Sequence, residues 1–188
     1  MLQEIIVFMK ANMKNVLNNL NNSIIFILIF IFYIINVIFF PIKVGWYVND
    51  YHEISTHVNN ETLRRITVED TNKWHEQQHA WLLEEIQKAR ENGEDVVVIT
   101  HHAPSRRDTC SKEDEEDGLM DAFVNDHDAD CIKPVRLWFY GHTHRSTDLK
   151  INSTRVISNQ LGYPWEKCGF RPNMKVNLYE DGTVTITD

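Results

Sequence analysis

The sequence has only three cysteines, and none of them belongs to a short paired motif. Cys110, Cys131 and Cys168 are far apart in the 188-residue chain. A disulfide framework requires a larger, even set of cysteines, and a zinc ribbon requires Cys-x-x-Cys pairs. The cysteine content therefore predicts neither of these small-domain types.

The chain also has fewer basic than acidic residues. The chain has 19 lysine and arginine residues against 27 aspartate and glutamate residues, a formal net charge of −8. A protein that binds nucleic acid without regard to sequence needs a basic surface that displaces counterions from phosphates. We therefore expect no nucleic-acid partner. With 43% hydrophobic residues, the chain suits one domain of ordinary size with an appendage.

Charged residues are missing from a long apolar stretch near the N-terminus, residues 23–40. At about 18 residues, the stretch is just long enough to cross a bilayer as a helix. Its length, and the lack of a small-x-small cleavage site after it, disfavour a cleaved signal peptide. Lys10 and Lys14 precede it and only Lys43 closely follows, which is a small bias toward a cytoplasmic N-terminus.

This stretch has more than one interpretation. A transmembrane helix over residues 23–40 would associate the protein with a membrane as a single-pass protein. Alternatively, residues 1–44 are a gene-model artefact, because residues 1–43 draw almost wholly on amino acids with AT-rich codons and the composition changes near Gly45. A cytoplasmic protein is then expected. A buried or signal-like helix is the third interpretation. The chain is therefore divided into a hydrophobic segment, residues 1–44, and a domain, residues 45–188.

From Gly45 onward, the apolar pattern predicts alternating helices and strands, hence an α/β fold. A long helix is predicted over residues 70–91, beginning at the capping sequence Thr67-x-x-Asp70 and ending at Gly93. Apolar residues recur along it at helical spacing, so this helix should cover a sheet. Strands are predicted at 46–48, 96–100, 135–140 and 155–158, a short helix at 119–124, and a hairpin over 174–186 that turns at Asp181-Gly182.

Two predicted strands end in histidines, which are His101, His102, His142 and His144. Neutral imidazole is the commonest side-chain ligand for zinc, iron and similar metals. In an extended segment, residues two apart point to the same side, about 6.6 Å apart. His142 and His144 could thus approach one pair of metal ions from one side. Gly141 would let the strand end turn sharply and its backbone come close to the ions.

A competing motif lies on the predicted long helix. His75-Glu76-x-x-His79 matches the pattern of zinc proteases, in which two histidines share a helix face and the glutamate acts as general base. No third ligand is obvious nearby, and the histidines border an apolar face. A helix packed on a sheet explains them better.

Two other stretches combine histidine with acidic residues. Asp50-x-His52 follows a predicted strand and is either a metal-ligand pair or, more simply, a polar turn. Residues 126–130, which include His127, are rich in acids and are predicted to form a solvated loop.

The strand-terminal histidines resemble those of the calcineurin-like metallophosphoesterase superfamily. Residues 97–104 and 141–144 match its strand-terminal His and its Gly-His-x-His in order and spacing, and residues 67–164 resemble microbial and protist members. The resemblance implies a calcineurin-like sandwich, two sheets flanked by helices, with the metals at strand ends. It also implies a phosphatase-like hydrolase that cleaves phosphate esters with two divalent ions and water or hydroxide as nucleophile.

The resemblance further implies roles for single residues. His101 and His142 would bind the second metal and His144 the first, while His102 would line the pocket without ligating. The metals could be zinc, iron or manganese. Arg106 and Arg107 follow the first motif and are candidate phosphate contacts, because guanidinium pairs bidentately with phosphate oxygens. An ordinary surface loop is the alternative for these two arginines.

The sequence departs from the superfamily pattern before His101. The Gly-Asp whose carboxylate bridges the metals and the Gly-Asn-His that assists the leaving group have no counterpart there. Asp50-x-His52 lies too close to His101 to serve as the first motif. Two divalent cations repel each other strongly, and three neutral imidazoles cannot offset that repulsion.

We therefore predict a C-terminal part of a metallophosphoesterase domain, incomplete at its N-terminal side, which binds one metal at best and is weakly active or inactive alone. Apolar sheet edges should then be left uncovered. A non-catalytic, membrane-tethered remnant or binding module is the first alternative. The zinc protease is the less favoured second alternative.

Overall fold

A computed structural model describes residues 25–29, 46–59, 62–112, 116 and 118–188. Its strands are β1 Ile25–Ile29, β2 Ser55–His57, β3 Leu63–Arg65, β4 Asp95–Ile99, β5 Val135–Phe139, β6 Thr147–Ile151, β7 Thr154–Ser158, β8 Lys175–Leu178 and β9 Val184–Thr187. Its α-helices are α1 Asp50–Glu53 and α2 Val68–Asn92, and short 3-10 turns span Met120–Ala122 and Asp128–Asp130.

Within the described residues, five strands form the central sheet, in the order β1-β4-β5-β7-β6. The first four are parallel, and β6 runs antiparallel to β7 at the edge. The predicted α/β fold with an antiparallel edge is confirmed. Parallel strands place their carboxyl ends at one edge of a sheet, so the residues after β4 and β5 lie side by side.

The prediction of a helix across residues 23–40 is wrong for Ile25–Ile29. These residues form β1, whose Ile25 pairs with Asp95 and whose Ile29 pairs with Ile99 of β4. A continuous apolar run fits a buried strand as well as a helix, and periodicity cannot separate the two. The side of β4 that faces away from β5 is therefore paired with β1.

The other residues of that predicted transmembrane helix lie outside the described part of the chain. Within the described part, neither helix has the length and apolar character needed to cross a membrane.

Helix α2 forms where its capping sequence predicts. The Thr67 side chain accepts a hydrogen bond from the Asp70 amide, and the Asp70 carboxylate accepts one from the Thr67 amide. At the other end, Gly93 has φ 73°, a left-handed conformation that glycine adopts without strain. Because both signals are local, the sequence alone located the helix.

Both faces of the central sheet are covered. On one face, α2 packs Leu82, Ile86 and Ala89 against a core that contains Val96, Val98 and Trp138. On the other face, the β8–β9 hairpin packs Met174, Val176 and Leu178 against a set that includes Val97, Leu137 and Phe139. The predicted sheet-covering role of the long helix and the predicted C-terminal hairpin are thus confirmed.

Some elements differ from prediction. Residues 46 and 47 are helical and exposed rather than a strand, and Asp50–Glu53 is a short helix. The predicted helix at 119–124 is one 3-10 turn, Met120–Ala122. The β2–β3 hairpin and β6 were not predicted, because short, half-exposed edge strands have few apolar residues to show alternation.

Candidate metal centre

The loops after β4 and β5 are joined by backbone hydrogen bonds that continue the sheet. The Thr100 amide donates to the carbonyl of Phe139 at 2.9 Å, and the Gly141 amide donates to the carbonyl of His101 at 3.0 Å. The two histidine-bearing segments therefore lie beside each other where the strands end.

Three imidazoles converge at this point. The ring centroids of His101 and His102 are 4.8 Å apart, and each ring lies 4.5 Å from that of His142. One ring nitrogen from each residue lies within 4.8 Å of those of the other two. We call these three residues the strand-end cluster. Within the described residues, no carboxylate joins it.

His142 has the surroundings of a metal ligand. Its ring bonds to the backbone carbonyl of Ala122. Its Nε2 is buried and has no hydrogen-bond partner among the residues that the structure describes. Metal-binding histidines typically donate one ring N–H to a carbonyl or carboxylate and keep the other nitrogen for the ion. The residues of the strand-end cluster therefore fit a divalent metal ion.

Burial keeps the strand-end cluster neutral. It lowers the pKa of His101 to about 4, with His144 as a second, electrostatic cause. Burial likewise lowers the pKa of His102 and of His142 well below the usual value. Only unprotonated imidazole can bind a metal, so the cluster is ready for one at neutral pH.

The backbone of His102 is held by a chain of two hydrogen bonds. The indole N–H of Trp138 donates to Thr100 Oγ1 at 2.9 Å, and Thr100 Oγ1 donates to the carbonyl of His102 at 2.6 Å. His102 is only 1% exposed. The sequence interpretation gave it a pocket-lining role, whereas the structure brings it into the cluster itself.

His144 lies beside the cluster with a different set of partners. Its Nδ1 is 2.8 Å from the Glu166 carboxylate, and its ring meets Tyr163 edge to face at 5.0 Å. Burial raises the pKa of Glu166, but hydrogen bonds from the Tyr163 amide and from His144 outweigh this effect and the pKa is lowered. Glu166 therefore holds the His144 ring by one nitrogen.

The Gly-His-x-His segment is a turn, not an extended strand. His142 has φ 68° and His144 has φ 51°, both left-handed, and Thr143 donates its amide to the Gly141 carbonyl. The extended backbone expected for this segment is therefore wrong. At Gly141, a Cβ would lie an ordinary 3.7 Å from the His101 carbonyl oxygen, so the space there does not require glycine. Left-handed backbone at two non-glycine residues is typical of functional sites.

The two predicted phosphate contacts are held by carboxylates. Arg106 Nη1 is 2.8 Å from Oδ1 of the buried Asp121. Arg107 Nε is 2.7 Å from Asp128 Oδ2, and its side chain is 65% exposed. A phosphate contact by either arginine would have to compete with these pairs.

Asp50-x-His52 belongs to the short helix α1. The buried Tyr51 between them bonds Thr71 on α2, and His52 Nε2 lies 2.8 Å from the carbonyl oxygen of Trp46. Neither Asp50 nor His52 belongs to a ligand cluster in the described part of the chain.

Several residues that shape the site were not predicted. The Gln160 side chain accepts the amide hydrogen of His144 at 2.8 Å and donates to Thr143 Oγ1 at 2.9 Å. Ala122 and Glu166 supply the oxygens that hold His142 and His144. Gln160 and Glu166 lie in loops and Ala122 in a single 3-10 turn, none of which has periodicity, so the sequence carries no signal for their roles.

Comparison with known proteins agrees with these observations. Residues 8–146 match the sequence model of a family described as calcineurin-like phosphoesterase. An uncharacterized protein of Acanthamoeba polyphaga mimivirus is 31% identical over 137 residues, which cover 70% of this chain and 48% of that protein. The chain thus spans about half the length of this curated relative. No solved structure matches the chain significantly.

Proposed function

This chain belongs to the calcineurin-like phosphoesterase family, and from that membership we propose that it hydrolyses phosphate esters at the strand-end cluster, His101, His102 and His142. The observation that carries the proposal is the buried Nε2 of His142, which lacks a partner among the described residues while the rest of the ring is held by Ala122. A buried nitrogen without a partner is costly, so a ligand for it is expected.

The family implies divalent metal ions, and the three cluster residues would hold one. Such an ion would polarise a phosphoryl oxygen and make water acidic enough to serve as a nucleophile at neutral pH. The chain's own contribution is to place three neutral imidazoles at one point. Because no carboxylate joins this cluster in the described residues, we propose that it binds one ion rather than two.

His144 has a separate part in the proposal. Its Nδ1 bonds Glu166, which leaves Nε2 for a metal, as the family resemblance implies, or for a proton transfer to the leaving oxygen. The role of Arg106 and Arg107 as phosphate contacts stays a prediction, since both guanidinium groups are now paired with acids.

The geometry does not favour the zinc protease. A general base must reach the water at the metal, but Glu76 is exposed to solvent whereas the preceding residue, His75, is buried. A metal-binding module without catalysis remains the alternative to the phosphoesterase, because the cluster lacks a carboxylate among the described residues.

The test is hydrolysis of an aryl phosphate monoester and diester by the full chain loaded with zinc, manganese or iron. We expect slow, metal-dependent turnover that His142→Gln removes and that Glu76→Gln does not. His52→Gln, an exposed histidine, is the matched control. Metal binding at the cluster without turnover would replace the phosphoesterase with the binding module. Turnover that survives His142→Gln would refute the assignment of the site.

A further inference from the structure

A second group of histidines lies on the α2 side of the sheet. His75 and His79, one turn apart on the helix, meet His127 from the loop before the 3-10 turn Asp128–Asp130. One ring nitrogen from each lies within 4.8 Å of those of the other two. His127 is 8% exposed, so the prediction of a solvated loop is wrong at this residue.

We propose that His75, His79 and His127 bind a zinc-type transition-metal ion at a second site, distinct from the strand-end cluster. This helix-face site needs none of the ligands assigned to the phosphoesterase centre. It would bind the helix to the loop rather than act on substrate.

The first argument is that two ring nitrogens of this group are buried without a hydrogen-bond partner among the described residues. His75 Nδ1 and His127 Nε2 are both buried, and neither has a hydrogen-bond partner in the described part of the chain. Buried polar atoms are nearly always paired, and each exception calls for an explanation such as an ion. Three imidazoles at one point are a ligand set that zinc commonly takes.

The second argument is the carboxylate behind the rings. Asp130 Oδ2 lies 2.7 Å from His79 Nε2 and 3.6 Å from His127 Nδ1. A carboxylate that holds one nitrogen of an imidazole orients the ring and makes the other nitrogen a better metal ligand. The Asp130 carboxylate thus orients His79 and lies close to His127, and its charge would partly offset that of the ion.

The third argument is that backbone contacts fix the loop on the helix side. The His127 amide donates to the Pro104 carbonyl at 2.7 Å, and the Asn125 amide donates to the Ala103 carbonyl at 2.8 Å. The Asp130 amide donates a hydrogen bond to the His127 carbonyl at 2.9 Å. The position of His127 opposite α2 is therefore set by the main chain, independently of any metal.

Ion binding requires a small rearrangement. The His79 and His127 rings are stacked with centroids 4.1 Å apart, whereas coordination needs the nitrogens to point at one centre. Rotation about the Cβ–Cγ bonds would turn the nitrogens toward one centre, because that torsion is soft in histidine. Glu76 is exposed and stays outside the site, so the ion would be structural rather than proteolytic.

The test is the zinc content of the full chain after removal of free metal. We expect two ions in the unmutated protein, one each in His127→Gln and in His142→Gln, and none in the double variant. If His127→Gln retains the wild-type count, the helix-face site does not exist. If His142→Gln alone changes nothing while His127→Gln loses an ion, the strand-end assignment fails and the helix-face site stands.

A milder variant guards against misfolding. Asp130→Asn should weaken zinc affinity about 10 to 100-fold, while Asp126→Asn, an exposed acid in the same loop, should leave it unchanged. In the unmutated chain, zinc should shift the imidazole nitrogen resonances of His75, His79 and His127 in long-range ¹H–¹⁵N spectra. Resonances that are identical in chelator and in saturating zinc would overturn the proposal.

Discussion

The backbone amide of His144 donates a 2.8 Å hydrogen bond to the side-chain oxygen of Gln160, sixteen residues further along the chain. The amide nitrogen of the same side chain donates to Thr143 Oγ1 and to Ser158 Oγ. One buried glutamine thus holds the left-handed turn that carries two histidines of the metal centre.

We expect Gln160→Leu to destabilise the fold by about 2–4 kcal/mol, because it leaves several buried partners unsatisfied. The loss should also weaken metal binding at the strand-end cluster, since the turn is no longer fixed. Urea unfolding and metal titration measure the two effects. Gln77→Leu, on the exposed face of α2, is the control and should change neither. Unchanged metal affinity in Gln160→Leu would show that the turn keeps its conformation without the Gln160 hydrogen bonds.

The metal-free protein should lose stability as the pH falls from about 6.5 to about 4. The pKa of His101 is lowered by burial from 6.5 to about 4, so in this window the unfolded chain binds a proton that the folded chain does not. For His101 alone the loss is on the order of 3 kcal/mol, at 1.36 kcal/mol per pKa unit. Above pH 6.5, neither state is protonated and this contribution is constant.

Urea unfolding in a chelator at several pH values measures this dependence. His101→Gln should have a flatter profile between pH 6.5 and 4, because one linked proton is removed. His57→Gln, an exposed histidine on β2, should keep the wild-type slope. An equal slope in all three proteins would contradict the role of His101.

Helix α2 packs on the sheet through one face, which includes Leu82 but not Leu83. Leu82 is 1% exposed in the core, whereas its neighbour Leu83 is 40% exposed. Leu82→Ala should therefore cost about 2–5 kcal/mol of unfolding free energy. Leu83→Ala should cost less than about 1 kcal/mol, although the chemical change is the same. Similar losses in the two variants, measured by urea unfolding, would contradict the packing of α2 described above.

Measurements of stability and of KM can distinguish the roles of Arg106 and Arg107. Arg106 pairs with the buried Asp121, so Arg106→Gln should cost about 1–3 kcal/mol. Arg107 is mostly exposed, and Arg107→Gln should cost less than about 1 kcal/mol.

If either arginine also contacts phosphate, its variant should raise KM for an aryl phosphate. A KM unchanged in both variants would leave Arg106 and Arg107 with structural roles only.

The predictions that succeeded rest on local chemistry. The capping box at Thr67, the glycine at 93 and the apolar spacing of Leu82 and Ile86 lie within one helix, so they are readable from the sequence. The apolar runs before His101 and Gly141 are equally local. Together with the family resemblance, they indicated a metal centre at the ends of two parallel strands.

The amino-acid sequence by itself determined the α/β fold, helix α2, the strands that precede the histidines and the family. Only the tertiary structure decided that Ile25–Ile29 is a strand, because an apolar run suits helix and strand alike and only the pairing with β4 separates the two. Only the tertiary structure decided which imidazoles lie together. His102 belongs to the strand-end cluster, His144 pairs with Glu166, and His127 lies beside His75 and His79 of α2. Such convergence depends on the backbone torsions of turns and on segments distant in sequence, and residue spacing encodes neither.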